Sequence, residues 1–178
     1  NDLWIDLKGG VYFSDPNYGN KELSQDGKHV YYIKPGGGEV IRVADGFKTP
    51  NGLVGTPDGG TLYIADIGDG KTYSYSIQED GTLNDRKLFC ESGSDGMTLD
   101  QYGNVYLTSG AVKVFSPKGE KIADILVESS NTLKGINCPS NLNSSAIDEF
   151  LVIFLIAAKA KGVSYFKNLS ELNQKESP

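Results

Sequence analysis

The sequence predicts an all-β protein organised as β-propeller blades, and three observations predict it. Turn signals recur along the chain: Asn-Gly, Asp-Gly and Pro-Asp-Gly lie between short runs of Val, Ile, Leu, Tyr and Phe, with 22 Gly and 10 Tyr among 178 residues. Three stretches of the chain superimpose on one another. Their central tyrosines stand 51 and 43 residues apart, a period that suits a blade of four short strands.

The first stretch runs Asn1-Asp2-Leu3-Trp4-Ile5-Asp6, then Gly9-Gly10-Val11-Tyr12-Phe13-Ser14-Asp15. The second runs Asn51-Gly52-Leu53-Val54-Gly55-Thr56, then Gly59-Gly60-Thr61-Leu62-Tyr63-Ile64-Ala65-Asp66. The third runs Asp95-Gly96-Met97-Thr98-Leu99-Asp100, then Gly103-Asn104-Val105-Tyr106-Leu107-Thr108-Ser109. Each is an apolar strand, a glycine turn and a second strand centred on Tyr. The distance from the leading polar residue to that Tyr is 11, 12 and 11 residues. Two outer strands follow each pair: Val30–Ile33 with Glu39–Val43, Thr72–Ile77 with Arg86–Phe89, and Ala111–Phe115 with Lys121–Val127. A β-sandwich also has many short strands, but it does not require a repeating sequence.

The pattern divides the chain into three clear blades over 1–127, a degraded or divergent last blade over 128–168, and a polar tail over 169–178. In the degraded copy, Phe150-Leu151-Val152-Ile153-Phe154 and Gly162-Val163-Ser164-Tyr165 read as a strand pair. The expectation is an incomplete propeller of about four blades.

Net charge is −6, with no basic run or Arg/Lys stripe, which argues against nucleic-acid binding. The apolar run Phe150–Ala158 is shorter than the roughly 20 residues that a membrane-spanning helix needs. No membrane partner is expected, and the oligomeric state is open. Cys90 and Cys138 lack metal-ligand spacing and read as small buried residues. The chain opens at Asn1-Asp2-Leu3-Trp4, inside patterned sequence and without a signal peptide. That reads as truncation with the N-terminal targeting information missing, so the compartment is not indicated; a soluble protein is expected.

The innermost strand of a propeller blade starts near the central channel, so equivalent positions on successive blades converge on one axis. Those positions are Asn1, Asn51 and Asp95. Amide and carboxylate oxygens are hard ligands that suit Ca²⁺, while Asn and Asp at a strand start also serve as turn or cap residues. His29 is the single histidine, which excludes a His-rich zinc site, and it reads as a surface residue. Asp15-Pro16-Asn17-Tyr18-Gly19 reads either as lining the channel mouth or as a turn. Asp66 and Asp69 are read as loop residues, and Asp58-Gly59 and Asp80-Gly81 as hairpin turns. There is no Gly-x-Ser-x-Gly elbow, phosphate loop or Cys-x-x-Cys.

Asn1-Asp2-Leu3 through Tyr12-Phe13-Ser14-Asp15-Pro16-Asn17-Tyr18-Gly19 resembles the gluconolactonase family, which includes senescence marker protein (regucalcin) and staphylococcal drug-responsive lactonase. Thr49-Pro50-Asn51-Gly52-Leu53, Leu62-Tyr63-Ile64-Ala65-Asp66 and Ser94-Asp95-Gly96-Met97 with Gly103-Asn104-Val105-Tyr106 carry the same resemblance, over about residues 1–127.

The resemblance implies a six-bladed propeller with a divalent metal in its channel, calcium or alternatively Zn²⁺, Mg²⁺ or Mn²⁺. It implies that Asn51 and Asp95 are metal ligands and that Asn1 contacts substrate or metal-bound solvent. The family's ligand Glu has no counterpart here, and the segment after about Glu128 lacks the family's Phe-Gly-Gly turn. The implied reaction is hydrolysis of a small lactone, with Asp95 also serving as general base. The alternatives are a binding or scaffolding propeller without enzymatic activity, and a related hydrolase of esters or organophosphates.

Overall fold

A computed structural model describes residues 1–18, 25–125, 132–143 and 150–170. The chain divides into two compact units, Asn1–Val127 and Glu128–Pro178.

The first unit is three four-stranded antiparallel sheets, each made of four consecutive strands. The first blade holds β1 (Leu3–Ile5), β2 (Val11–Asp15), β3 (His29–Ile33) and β4 (Val40–Ala44). The second holds β5 (Pro50–Gly55), β6 (Thr61–Asp66), β7 (Lys71–Ile77) and β8 (Leu83–Cys90). The third holds β9 (Met97–Leu99), β10 (Val105–Ser109), β11 (Ala111–Phe115) and β12 (Lys121–Ile125). The repeat is visible in the register. Tyr12 pairs with Trp4 and Tyr32, Tyr63 with Val54 and Ser74, and Tyr106 with Thr98 and Val114. The three tyrosines therefore hold one position in three sheets.

Strand alternation places opposite faces of each sheet against different neighbours. Trp4, Tyr12, Val30 and Tyr32 of the first blade pack with Leu53, Leu62, Ile64 and Tyr75 of the second. Tyr63, Val54, Phe89 and Cys90 on the other face of the second blade pack with Met97, Leu99, Val105, Leu107 and Phe115 of the third. The Trp4 and Tyr12 rings lie 5.9 Å apart, and those of Tyr12 and Tyr32 4.4 Å apart. The Trp4 ring lies over Gly55, where a Cβ would meet it at 2.3 Å, so the second blade keeps glycine where the first has Ile5.

Leu3 and Ile5 point away from this core and are 59% and 57% exposed, whereas Leu53, the repeat equivalent of Leu3, is 2% exposed. The outermost strands are charged: Asp85, Arg86 and Lys87 lie on β8, and Lys121 and Asp124 on β12. Charge on an edge strand opposes further pairing.

Two sequence expectations are corrected. His29 is buried rather than at the surface: on β3 it pairs with Asp15, its ring edge faces Tyr31, and its Nε2 lies 3.0 Å from Asp26 Oδ1. Phe150–Phe154 is not a strand. It opens a helix, α1 (Phe150–Lys159). A run of ten residues with no turn residue and an Ala-Ala-Lys end has helix length and helix formers, which apolarity alone cannot separate from a buried strand. No helix among the described residues is long and apolar enough to cross a membrane. Cys90 is buried as expected, while Cys138 is only partly so, and both are free.

Candidate functional site

Asn1, Asn51 and Asp95 meet at one point. Asn51 lies on β5 at a shift in register between Pro50 and Leu53, where the irregularity re-aims its side chain. It is 1% exposed. Its Nδ2 donates to Asp95 Oδ1 at 2.9 Å and to the Tyr18 hydroxyl, and its Oδ1 accepts from Asn1 Nδ2. Asn1 and Asp95 are exposed, so the buried amide is the centre of the group and the other two are its open side.

Hydroxyls behind the group fix the backbone that carries it. Ser14 Oγ donates to the Asn51 carbonyl at 2.7 Å and accepts from the Asp2 amide at 3.2 Å, tying β2 and the residue after Asn1 to β5. Asp2 Oδ2 accepts the Leu53 amide at 3.0 Å. Around Asp95, the fully buried Ser94 accepts the Thr108 amide at 2.7 Å, while Thr108 Oγ1 accepts from Gly96 N at 3.0 Å. Buried hydroxyls whose donors and acceptors are satisfied hold geometry firmly.

Asp66 holds the loop that leads into Asn51. The sequence reading gave it turn duty, and the structure shows what that duty is. It is 1% exposed and accepts the amides of Lys48 at 2.8 Å, Thr49 at 2.8 Å and Asp69 at 3.2 Å. Asp69 ion-pairs with Lys48 and Lys71. Their hydrogen bonds pull its carboxyl down to about 2, and it takes no part in the group around Asn51. Asp58 caps its hairpin by accepting Gly60 N at 3.0 Å, and Asp80 does the same for Thr82 N at 3.0 Å.

Sequence reasoning did not single out Tyr18, Ser14 or Asp2. Tyr18 was read only within a segment of two meanings. Its hydroxyl against Asn51 places it at the group, and its phenol is pushed up first by burial and then by the nearby Asp95 carboxylate. Its position three residues beyond the end of β2 is the signal that could have found it.

The donors fit a hard divalent cation in kind. They are one carboxylate and two amides, without sulfur or imidazole, as calcium or magnesium prefers and zinc does not. They supply part of a shell, since Ca²⁺ takes about 6 to 8 oxygens. Among the described residues no three His, Cys, Asp or Glu side chains cluster to hold a metal. The Asn51 amide turns its N–H₂ toward Asp95; a half-turn about its Cβ–Cγ bond presents the oxygen there without changing its shape.

Gly52 sets how close Asn51 comes to Asp95. A Cβ on it would lie 2.7 Å from the Asp95 carbonyl oxygen, a backbone atom that can move only with the chain around it. Gly52→Ala should therefore lower the urea midpoint of unfolding, by about 1–3 kcal/mol in stability. Gly60→Ala, whose Cβ would meet only ordinary contacts, is the control. Equal midpoints for the two variants would show that the close approach is not required.

The comparisons with known proteins fall into two sets. A gluconolactonase of Zymomonas mobilis is 33% identical over 142 residues, covering 67% of this chain and 39% of its own length. The solved structure of a gluconolactonase from Xanthomonas campestris superposes with a TM-score of 0.64 at 31% identity, covering 70% of this chain and 46% of that one. The chain thus spans less than half the length of these relatives. A shorter similarity runs to a 3-phosphoshikimate 1-carboxyvinyltransferase of Ruthia magnifica, 49% identical over 59 residues, or 33% of this chain and 13% of that protein. Residues 1–134 match the SMP-30/gluconolactonase/LRE-like region, and with three four-stranded blades arranged as in the solved relative, the chain belongs to that family of β-propellers.

Proposed function

We propose that this chain carries part of the active centre of a calcium-dependent lactonase. The observation that supports it is the meeting of Asn1, Asn51 and Asp95, from the leading positions of three successive blades, around one buried amide. In this reading Asn51 and Asp95 hold the cation. A bound cation would polarise the lactone carbonyl and stabilise the charge developing on its oxygen.

The chain's own groups do the rest. Asp95, the one carboxylate of the group and exposed, accepts the proton of the attacking water as general base. Asn1, exposed beside it, orients substrate or water through its amide. Asn51, fully buried, is the neutral ligand, its oxygen offered to the cation after the half-turn of its amide. The substrate class is a cyclic ester of a sugar acid or a similar small molecule, as the names of the relatives suggest.

Calcium titration by calorimetry tests the reading on the binding step alone. The wild-type chain should bind calcium. Asn51→Ala should shift the titration to higher calcium by about ten-fold, because one neutral oxygen ligand is lost while the charge is kept. Asp58→Asn, at a hairpin remote from the group, should bind as wild type. Identical titrations for wild type and Asn51→Ala would remove Asn51 from the site.

A further inference from the structure

The second unit is built on a different plan from the blades. Residues 134–137 and 161–165 lie side by side in parallel: Lys134 bridges Lys161, and Asn137 bridges Tyr165. Lys161 N donates to Leu133 O at 2.8 Å, Gly135 N to Lys161 O at 2.8 Å, and Tyr165 N to Ile136 O at 2.8 Å. Helix α1 lies in the chain between these two segments. Parallel neighbours joined through a helix form a crossover, which the hairpin-linked antiparallel strands of a blade never contain.

The helix carries apolar residues at every position before Lys159. Phe150 is buried, with the rings of Phe154 and Phe166 at 5.6 and 6.1 Å. Yet Val152, Leu155 and Ile156 on its other sides are 58%, 70% and 50% exposed. An apolar cavity of about 300 Å³ opens between α1 and Leu133 and Ile136. A helix that is apolar all round is a core helix, and a parallel ribbon is normally covered on both faces.

We infer that the unit Glu128–Pro178 is the part of the chain that the carboxyvinyltransferase similarity matches, and that it is a segment of that unrelated class joined behind three propeller blades. The two similarities cover 67% and 33% of the chain, so they can lie largely end to end, the 59 residues of the second reaching somewhat past the unit Glu128–Pro178. If they overlaid fully, one stretch would have to specify both an antiparallel blade and a parallel crossover. The propeller family match ends at residue 134, close to the division between the units. The similar segment spans 13% of that relative's length.

Two measurements on the full chain test this. Trp4 is the single tryptophan and packs between the first and second blades, so its fluorescence follows the propeller unit. Phe150→Ala should speed hydrogen exchange of the α1 amides by at least about ten-fold. It should change neither the Trp4 urea midpoint nor the protection of β10 and β11. A lowered Trp4 midpoint, or β10 and β11 losing protection with α1, would make the unit a working blade and overturn the inference. Nuclear Overhauser contacts give an independent reading. Contacts of Lys161 with Leu133 and Gly135 in parallel register are expected, and antiparallel pairing of these segments would refute the assignment.

Discussion

Asp95→Asn is expected to lower lactone turnover by at least about 10²-fold in the active protein, with its shape unchanged. The substitution keeps the size of the side chain and the oxygen that accepts the Asn51 amide at 2.9 Å. It removes the one negative charge of the group and the proposed base together. A hard cation loses affinity when an anionic ligand becomes neutral, and general-base catalysis is by itself worth about 10²–10⁴-fold. The two losses separate on titration. Added calcium should restore the part due to binding and leave the part due to proton transfer, so kcat at saturating calcium stays low. Asn51→Ala should behave the other way, recovering much of its activity as calcium rises. Wild-type turnover by Asp95→Asn at saturating calcium would end the assignment of Asp95 and favour a propeller that binds without catalysis.

Asp66→Ala should destabilise the propeller unit by about 3 kcal/mol, read from Trp4 fluorescence in urea. Three backbone amides, those of Lys48, Thr49 and Asp69, point at its carboxylate, which is 1% exposed. Alanine leaves the Lys48 and Thr49 amides without an acceptor, while the Asp69 amide keeps the Asp66 carbonyl at 3.3 Å, and an unsatisfied buried donor costs about 1–3 kcal/mol. Part of that is recovered where water reaches the loop. Asp66→Asn should fall between the two, because its amide keeps one accepting oxygen. The loss should also reach the functional group, since the loop from Lys48 leads through Pro50 to Asn51. An Asp66→Ala protein as stable as wild type would mean that the loop holds itself by other contacts.

Much of this arrangement is legible in the sequence because a repeat turns local pattern into geometry. Three leading residues at one repeat position must face one axis, and Asn1, Asn51 and Asp95 do meet. What failed to show lies where one residue type serves two ends. Asp66 ends a strand like any turn aspartate, and only the fold reveals the three amides converging on it. His29 sits among polar neighbours and is buried all the same, held against Asp26 and the Tyr31 ring, which the sequence pattern does not reveal. Phe150–Lys159 carries no polar residue before its last to set a period, so helix and strand look alike until its partners are known. Tyr18 reaches Asn51 through a chain path whose direction depends on Pro16 and Asn17, the latter with φ of 43°.

Each blade here is made from four neighbouring strands, and among the described residues none borrows a strand from elsewhere in the chain. Every ladder among these strands is therefore made within its own blade, and the chain leaves each blade by its outermost strand. For the history of such a gene this makes a blade boundary a tolerant place for recombination. A crossover placed after β12 exchanges the downstream sequence while leaving each of the strands β1 to β12 with all of its own partners. The retained blades keep their hairpins, their two inter-blade cores and the contacts among Asn1, Asn51 and Asp95. Foreign sequence can thus be carried behind such a module without first being fitted to it.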